Sequence, residues 1–201
     1  ICESRILFLL HHHFKEEKYL KAIHETFHHI THQPRTVEGN FWHKWIYPNQ
    51  VWLDGLFMAQ PFYATYASNM NQPDLYNDII HQFKMVRKNM FNEKTKLYHH
   101  GYDCAKRMFW ADRHTGLSKN HWLRAIGWFA VSLVDVYEHV LDTFKPQFED
   151  LKIFLKELID GIFLYQDPKS KLFYQVVNHP ELEGNYLESS GSALLSYAIL
   201  K

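Results

Sequence analysis

Two kinds of helix surface alternate along this chain, and that alternation restricts the fold more than any other feature. Three stretches carry apolar residues on nearly every side: the one after Asp54, the one from His121 to about Asp142, and the one from near Tyr186 to the end. The stretches before and between them have a single apolar stripe. Leu20, Ile23, Phe27 and Ile30 form it within Phe14 to His32, Ile79, Ile80, Phe83 and Val86 form it between Pro73 and about Phe91, and a third amphipathic run starts at Pro146 and ends near Gln166. A helix that is apolar all round has to be surrounded by protein, whereas a helix with one wet face has to lie outside. Short extended segments are expected before the three buried helices, at Phe41-Trp42-His43, Leu97-Tyr98-His99-His100 and Leu172-Phe173-Tyr174-Gln175.

The repeating unit is thus an outer helix, an extended turn and an inner helix. An aromatic-Leu-charged triplet opens each inner helix, ending at Asp54, Arg124 and Glu188, with 70 and then 64 positions between successive charges. Such a repeat is longer than the common solenoid modules. An open solenoid would leave one side of each inner helix exposed, and closing the hairpins into a ring removes that exposure. The expectation is an all-α protein of the α/α toroid class: an incomplete barrel of about seven helices with short extended segments in the turns. Residues 1–201 read as a single domain, the central part of a six-hairpin barrel. Ile1 does not look like a genuine start and SALLSYAILK stops inside an apolar helical pattern, so the chain reads as cut at both ends. Within the helix after Asp54, Pro61 removes a backbone donor and is expected to kink it or mark a locally broken turn. Asn120 is the expected N-cap of the helix that follows it.

Composition removes several function classes. With 46% apolar and 16% aromatic residues the chain can build a large core. Lys+Arg and Asp+Glu both total 22, so there is neither a nucleic-acid footprint nor a polybasic membrane patch. No apolar run approaches the ~20 residues of a membrane span. Two cysteines, Cys2 and Cys104, without CxxC spacing fit a reducing compartment, and a cytoplasmic location is the expectation.

If the three equivalent turns share one rim, Asp54, Arg124 and Glu188 converge there, with His43 and His100 arriving on extended segments. Trp42, Trp45, Trp52, Trp122 and Trp128 would ring them. A carboxylate, a guanidinium and imidazoles among aromatic faces suit a carbohydrate, and Arg124 suits an acidic group on it. Each residue also has a plainer reading, since an Asp at a helix N-terminus stabilises that helix by itself.

The segments WIYPNQVWLDGLFMAQPFYATYA, LYHHGYD, WADRHTGLS, HWLRAIGW and YLESSGSALL, in this order, resemble the unsaturated rhamnogalacturonyl hydrolases of glycoside hydrolase family 105, related to the unsaturated glucuronyl hydrolases of family 88. The similarity runs from about Tyr19 to the last residue. It implies a six-hairpin α/α barrel that removes a terminal 4,5-unsaturated uronic acid from an oligosaccharide by hydrating its C4=C5 bond. It implies Asp54 as general acid and base, with His43, His100, Trp122, Arg124 and Trp128 lining the sugar subsite, and neither cofactor nor metal. Rhamnogalacturonan fragments ending in unsaturated galacturonyl-rhamnose are the implied substrate. The family pattern has a second aspartate whose position would fall ahead of Ile1, so the chain by itself is expected to lack part of the machinery.

Two other readings compete. His24-Glu25-Thr26-Phe27-His28 matches HExxH, the helical zinc-protease motif, although Thr31 and Pro34 stand where a longer zinc motif needs Gly and His. A helical-repeat module that binds a glycan or peptide without turnover is the other.

Overall fold

The computed structural model describes residues 1–201. A 3-10 turn at Cys2–Arg5 leads into α1 (Ile6–Phe14), and α2 (Glu17–Thr31) follows after Lys15, whose φ of 55° breaks the first helix. The later helices are α3 (Leu53–Asn69), α4 (Leu75–Met90), α5 (Leu123–His139), α6 (Glu149–Phe163) and α7 (Ser189–Leu200). Three two-stranded antiparallel ribbons occupy the turns. They pair β1 (Gln50–Trp52) with β4 (Gly101–Asp103), β2 (Phe91–Asn92) with β3 (Leu97–Tyr98), and β5 (Phe173–Tyr174) with β6 (Leu187–Glu188).

The alternation of surfaces becomes an inner and an outer layer, as the α/α toroid requires. Helix α3 packs on α5 and α5 on α7, while α2 and α4 lie against α3 and α6 lies against α5. The inner helices α3 and α5 are buried along most of their length, including Phe62, Tyr63, Ala64, Phe129, Ala130 and Leu133. Each outer helix buries one stripe: Ile23 and Ile30 of α2, Ile79, Phe83 and Val86 of α4, Leu151, Leu158 and Ile162 of α6. Lys84 and Lys88 stay on the wet side of α4. One continuous core joins them all, and each fully buried Phe in it contributes roughly 1.5–3 kcal/mol.

Several local expectations are corrected. Phe41-Trp42-His43 is not the strand before α3; Phe41 makes one isolated bridge to Arg35, and the strand is Gln50–Trp52. The chain reverses at Tyr47 to Gln50 with Asn49 left-handed, so that the His43 amide donates to the Gln50 carbonyl at 2.7 Å. Asn120 does not cap α5. That place belongs to Trp122, while the Asn120 carbonyl accepts a hydrogen bond from His100 Nδ1 at 3.0 Å. Helix α3 runs unbroken through Pro61, its flanks held by core packing. Pro146 lies in a 3-10 turn, Asp142–Phe148, that precedes α6. Helix α7 starts only at Ser189 because Leu187 and Glu188 are paired with Tyr174 and Phe173.

No helix is long and apolar enough to cross a membrane, and both cysteines are free thiols.

Candidate active site

Two of the three inner helices, α3 and α5, are entered through a hydrogen bond to the next repeat. The Leu53 amide donates to the His100 carbonyl at 3.1 Å, and in the equivalent place the Leu123 amide donates to the Gln175 carbonyl at 2.9 Å. The first of these, with the β1–β4 register Trp52↔Gly101, brings His100 beside the start of α3 and therefore beside Asp54.

Asp54 occupies the first turn of α3. Its Oδ2 is buried and has no hydrogen-bond partner. Burial raises its pKa above the usual carboxylate value, opposed by its own backbone N–H and by the positive charges of Arg124 and Lys44. Desolvation wins this competition, which favours a proton on Asp54.

The two imidazoles are held neutral. Burial, assisted by neighbouring Lys44, lowers the pKa of His43 to about 4, and its Nδ1 has no partner. Burial also lowers the pKa of His100, with partial compensation from the Asn120 carbonyl and from Asp54. Because a carbonyl only accepts, the bond to Asn120 places the His100 proton on Nδ1 and leaves Nε2 as an acceptor. Trp52 lies between them, stacked on His43 at 5.2 Å and edge-on to His100 at 5.9 Å.

Arg124 is fixed on two sides. Its guanidinium sits 4.5 Å above the Trp122 ring, and Nη1 donates to Glu188 Oε1 at 2.9 Å. Glu188 is buried and caps α7, with Oε2 accepting from the Gly191 amide at 2.6 Å and Oε1 from the Ser190 hydroxyl. A Cβ at residue 191 would lie 2.6 Å from both Glu188 Oε2 and Leu123 Cγ, so only glycine lets the carboxylate approach. The N–H groups of Arg124 that do not face Glu188 remain for an anionic ligand. Trp128, one turn further along α5, stacks on Phe57 of α3 at 4.5 Å, and His100 meets the Trp122 ring edge-on at 6.1 Å.

The structure therefore draws Asp54, His43 and His100 to one end of α3, and Trp122, Arg124 and Trp128 to the adjoining end of α5. Glu188 serves Arg124 rather than standing as a separate third charge. A partly open cavity of about 260 Å³ lies to one side of Asp54. Its lining includes Trp42, His43, Trp52 and Gly55 but not Asp54, His100 or Arg124, so the expected pocket between Asp54 and Arg124 is an open face flanked by this cavity. Trp45 is 70% exposed at the edge and does not close the aromatic ring. Sequence reading missed Lys44, whose charge acts on both His43 and Asp54; its adjacency to His43 was the only signal.

The HExxH residues are spent elsewhere. His24 Nδ1 shares a hydrogen bond with the Tyr66 hydroxyl at 2.9 Å, exposed His28 stacks on His32 at 3.9 Å, and no group of three His, Cys, Asp or Glu side chains is arranged to hold a metal ion.

A carboxyl whose pKa burial raises, neutral imidazoles and an aromatic-backed guanidinium have the chemistry to donate a proton, orient a water and hold a carboxylate. Comparison with known proteins gives this arrangement a family. The profile described as Glycosyl Hydrolase Family 88 matches residues 1–201. A solved glycoside hydrolase from family 105 of C. acetobutylicum ATCC 824 is 41% identical with a TM-score of 0.94, covering 98% of this chain and 54% of that one. The 24.9 kDa protein in picA locus of Rhizobium radiobacter is 33% identical over 144 residues, which are 72% of this chain and 60% of that protein. The unsaturated rhamnogalacturonyl hydrolase YesR of Bacillus subtilis is 28% identical over 200 residues, 96% of this chain and 55% of that protein. The chain thus spans 54 to 60% of the length of these relatives. With the profile matched from end to end and the toroid's inner and outer layers in place, the chain belongs to Glycosyl Hydrolase Family 88.

Proposed function

We propose that the protein removes a terminal 4,5-unsaturated uronic acid from an oligosaccharide, with Asp54 as general acid and base. The observation that carries this reading is the buried, unpartnered Oδ2 of Asp54 with its raised pKa, set between neutral imidazoles and the Arg124 guanidinium. Arg124 binds the uronate carboxylate, while Trp122 and Trp128 present aromatic faces to the sugar. Protonated Asp54 delivers its proton to C4 of the C4=C5 bond. A water held by His100 and His43 adds to C5 and gives a proton back to Asp54. The product is a hemiketal at C5; its ring opens, C1 becomes a hemiacetal, and the neighbouring sugar leaves as an alcohol. One carboxyl group serves both proton transfers, unlike the paired carboxylates of ordinary glycosidases.

Unsaturated galacturonyl-rhamnose is the substrate we infer, supported by the likeness to the rhamnogalacturonyl hydrolase named above. The test is loss of the ultraviolet absorbance of the conjugated double bond when the intact protein meets that disaccharide, compared with an unsaturated glucuronyl disaccharide. Turnover that disappears in Asp54→Asn supports the proposal, while full turnover in that variant overturns the role of Asp54. Binding without turnover in the wild type would favour a glycan-binding module.

A further inference from the structure

Beyond Trp52, the aromatic surface continues onto the loop between β4 and α5, residues 104–119. Trp110 lies 5.9 Å from Trp52 between ring centroids, edge-on. It covers the backbone of Gly101, where a Cβ would come within 3.2 Å of the indole. Phe109, next to it, is 89% exposed.

This loop is built to hold its shape. Buried Asp103 accepts hydrogen bonds from the amides of Ala105 at 3.0 Å, Arg107 at 2.7 Å and Met108 at 2.8 Å. Asp112 accepts from the amides of His114 at 2.9 Å and Thr115 at 2.7 Å, and from the Thr115 hydroxyl at 2.9 Å. Asp103, at the end of β4, and Asp112, the one acid of the loop, are therefore both used to hold the loop's own backbone. Its cations are not neutralised: Lys106 and Arg113 donate only to loop carbonyls, and none of Lys106, Arg107, Arg113 and Lys119 joins the ion pairs of the chain. Along the loop runs an open groove of about 620 Å³, walled by Trp110 and lined by Asn92, His99, Asp112, Thr115 and Lys119.

A rigid loop with an indole wall, the Lys119 ammonium and a polar groove has the chemistry that recognises an acidic saccharide: a ring face for stacking, amide and hydroxyl groups for sugar hydroxyls, and ammonium for a carboxylate. We propose that this groove is a second sugar-binding site for the reducing-side units of the substrate, and that it selects oligosaccharides carrying a further uronate beyond the scissile bond. The proposal rests on the hydrolase reading given above and names the substrate length and charge that reading leaves open.

The experiment measures kcat/KM of the intact protein for three substrates. They are the unsaturated disaccharide, an unsaturated tetrasaccharide with a second uronate on the reducing side, and the same tetrasaccharide with that second carboxylate methyl-esterified. In wild type the tetrasaccharide-to-disaccharide ratio is expected to be roughly three- to tenfold, the range of one aromatic stack plus one rim charge. Trp110→Ala and Lys119→Glu, both lining the groove, should each bring the ratio towards one. The esterified substrate should lose the part that Lys119→Glu removes, and added salt should lower the preference for the acidic tetrasaccharide alone. A ratio that neither variant changes overturns the groove while leaving the hydrolase intact. A wild type that turns over neither substrate overturns the hydrolase reading itself and the groove with it.

Discussion

Replacing Glu188 separates the two tasks of that carboxylate. In the native protein its side chain is 5% exposed, accepts from the Gly191 amide and the Ser190 hydroxyl, and pairs with Arg124. Glu188→Ala removes an N-cap, worth about 1 kcal/mol, and one buried methylene, about 0.8 kcal/mol. The Arg124 interaction is discounted to about 0.5–1 kcal/mol, because that side chain is 35% exposed and water can solvate the guanidinium once its partner is gone. With the Ser190 bond at about 0.5 kcal/mol, the loss totals about 3 kcal/mol. Glu188→Gln keeps an acceptor for Gly191 and a neutral acceptor for Arg124, so it should cost only about 1 kcal/mol. Urea unfolding at constant slope reads the difference as a midpoint shift. Both variants should also weaken substrate binding through a freed Arg124, raising KM for an acidic disaccharide before kcat falls. Equal stability of the Ala and Gln variants, or an Ala variant within 0.5 kcal/mol of wild type, an error-sized change, would refute the capping role.

Asp54→Asn should lower turnover by about 10²–10⁴-fold, the usual reach of general acid-base catalysis, and stabilise the fold by about 0.5–2 kcal/mol near neutral pH. The sign follows from its raised folded pKa: ionising Asp54 penalises the native state, so wild-type stability is greatest below the unfolded pKa and declines as pH rises through the folded one. Wild-type and variant unfolding midpoints should therefore diverge with rising pH. His121 is 2% exposed and its pKa is lowered to about 4, chiefly by burial. Its contribution is present above the unfolded value near 6.5 and is lost as pH falls towards 4, at most roughly 3 kcal/mol, so His121→Gln should flatten the acid limb of a stability profile. Asp135, with a side chain 4% exposed, accepts from Arg5 at 2.7 Å, Lys201 at 2.7 Å and the Tyr197 hydroxyl at 2.9 Å, tying the segment before α1, α5 and α7 together. Asp135→Ala should cost about 2 kcal/mol by urea unfolding, since Arg5 and the Tyr197 hydroxyl lose their acceptor while Lys201 keeps Glu138, whereas Arg5→Ala should cost less.

The sequence by itself determined that α3 and α5 lie inside and α2, α4 and α6 outside, whereas α7, also apolar on most sides, leaves Tyr197, Ile199 and Leu200 exposed. The side-chain stripe of a helix repeats every 3.6 residues, so Ile23 and Ile30, or Ile79, Phe83 and Val86, mark a buried face without knowledge of the partner. It also placed Asp54 in the first turn of an inner helix, because the boundary after Trp52 is local. Tertiary structure decided the rest. The strand before α3 is Gln50–Trp52 rather than Phe41-Trp42-His43 because its register depends on β4, some fifty residues later, and that pairing is what carries His100 to Asp54. Arg124 is oriented by Glu188 across 64 positions, a partner that no helical period reveals. The raised pKa of Asp54 is decided by burial set against the opposing charges of Arg124 and Lys44, and that balance exists only once inner helices and turns have closed around the carboxyl.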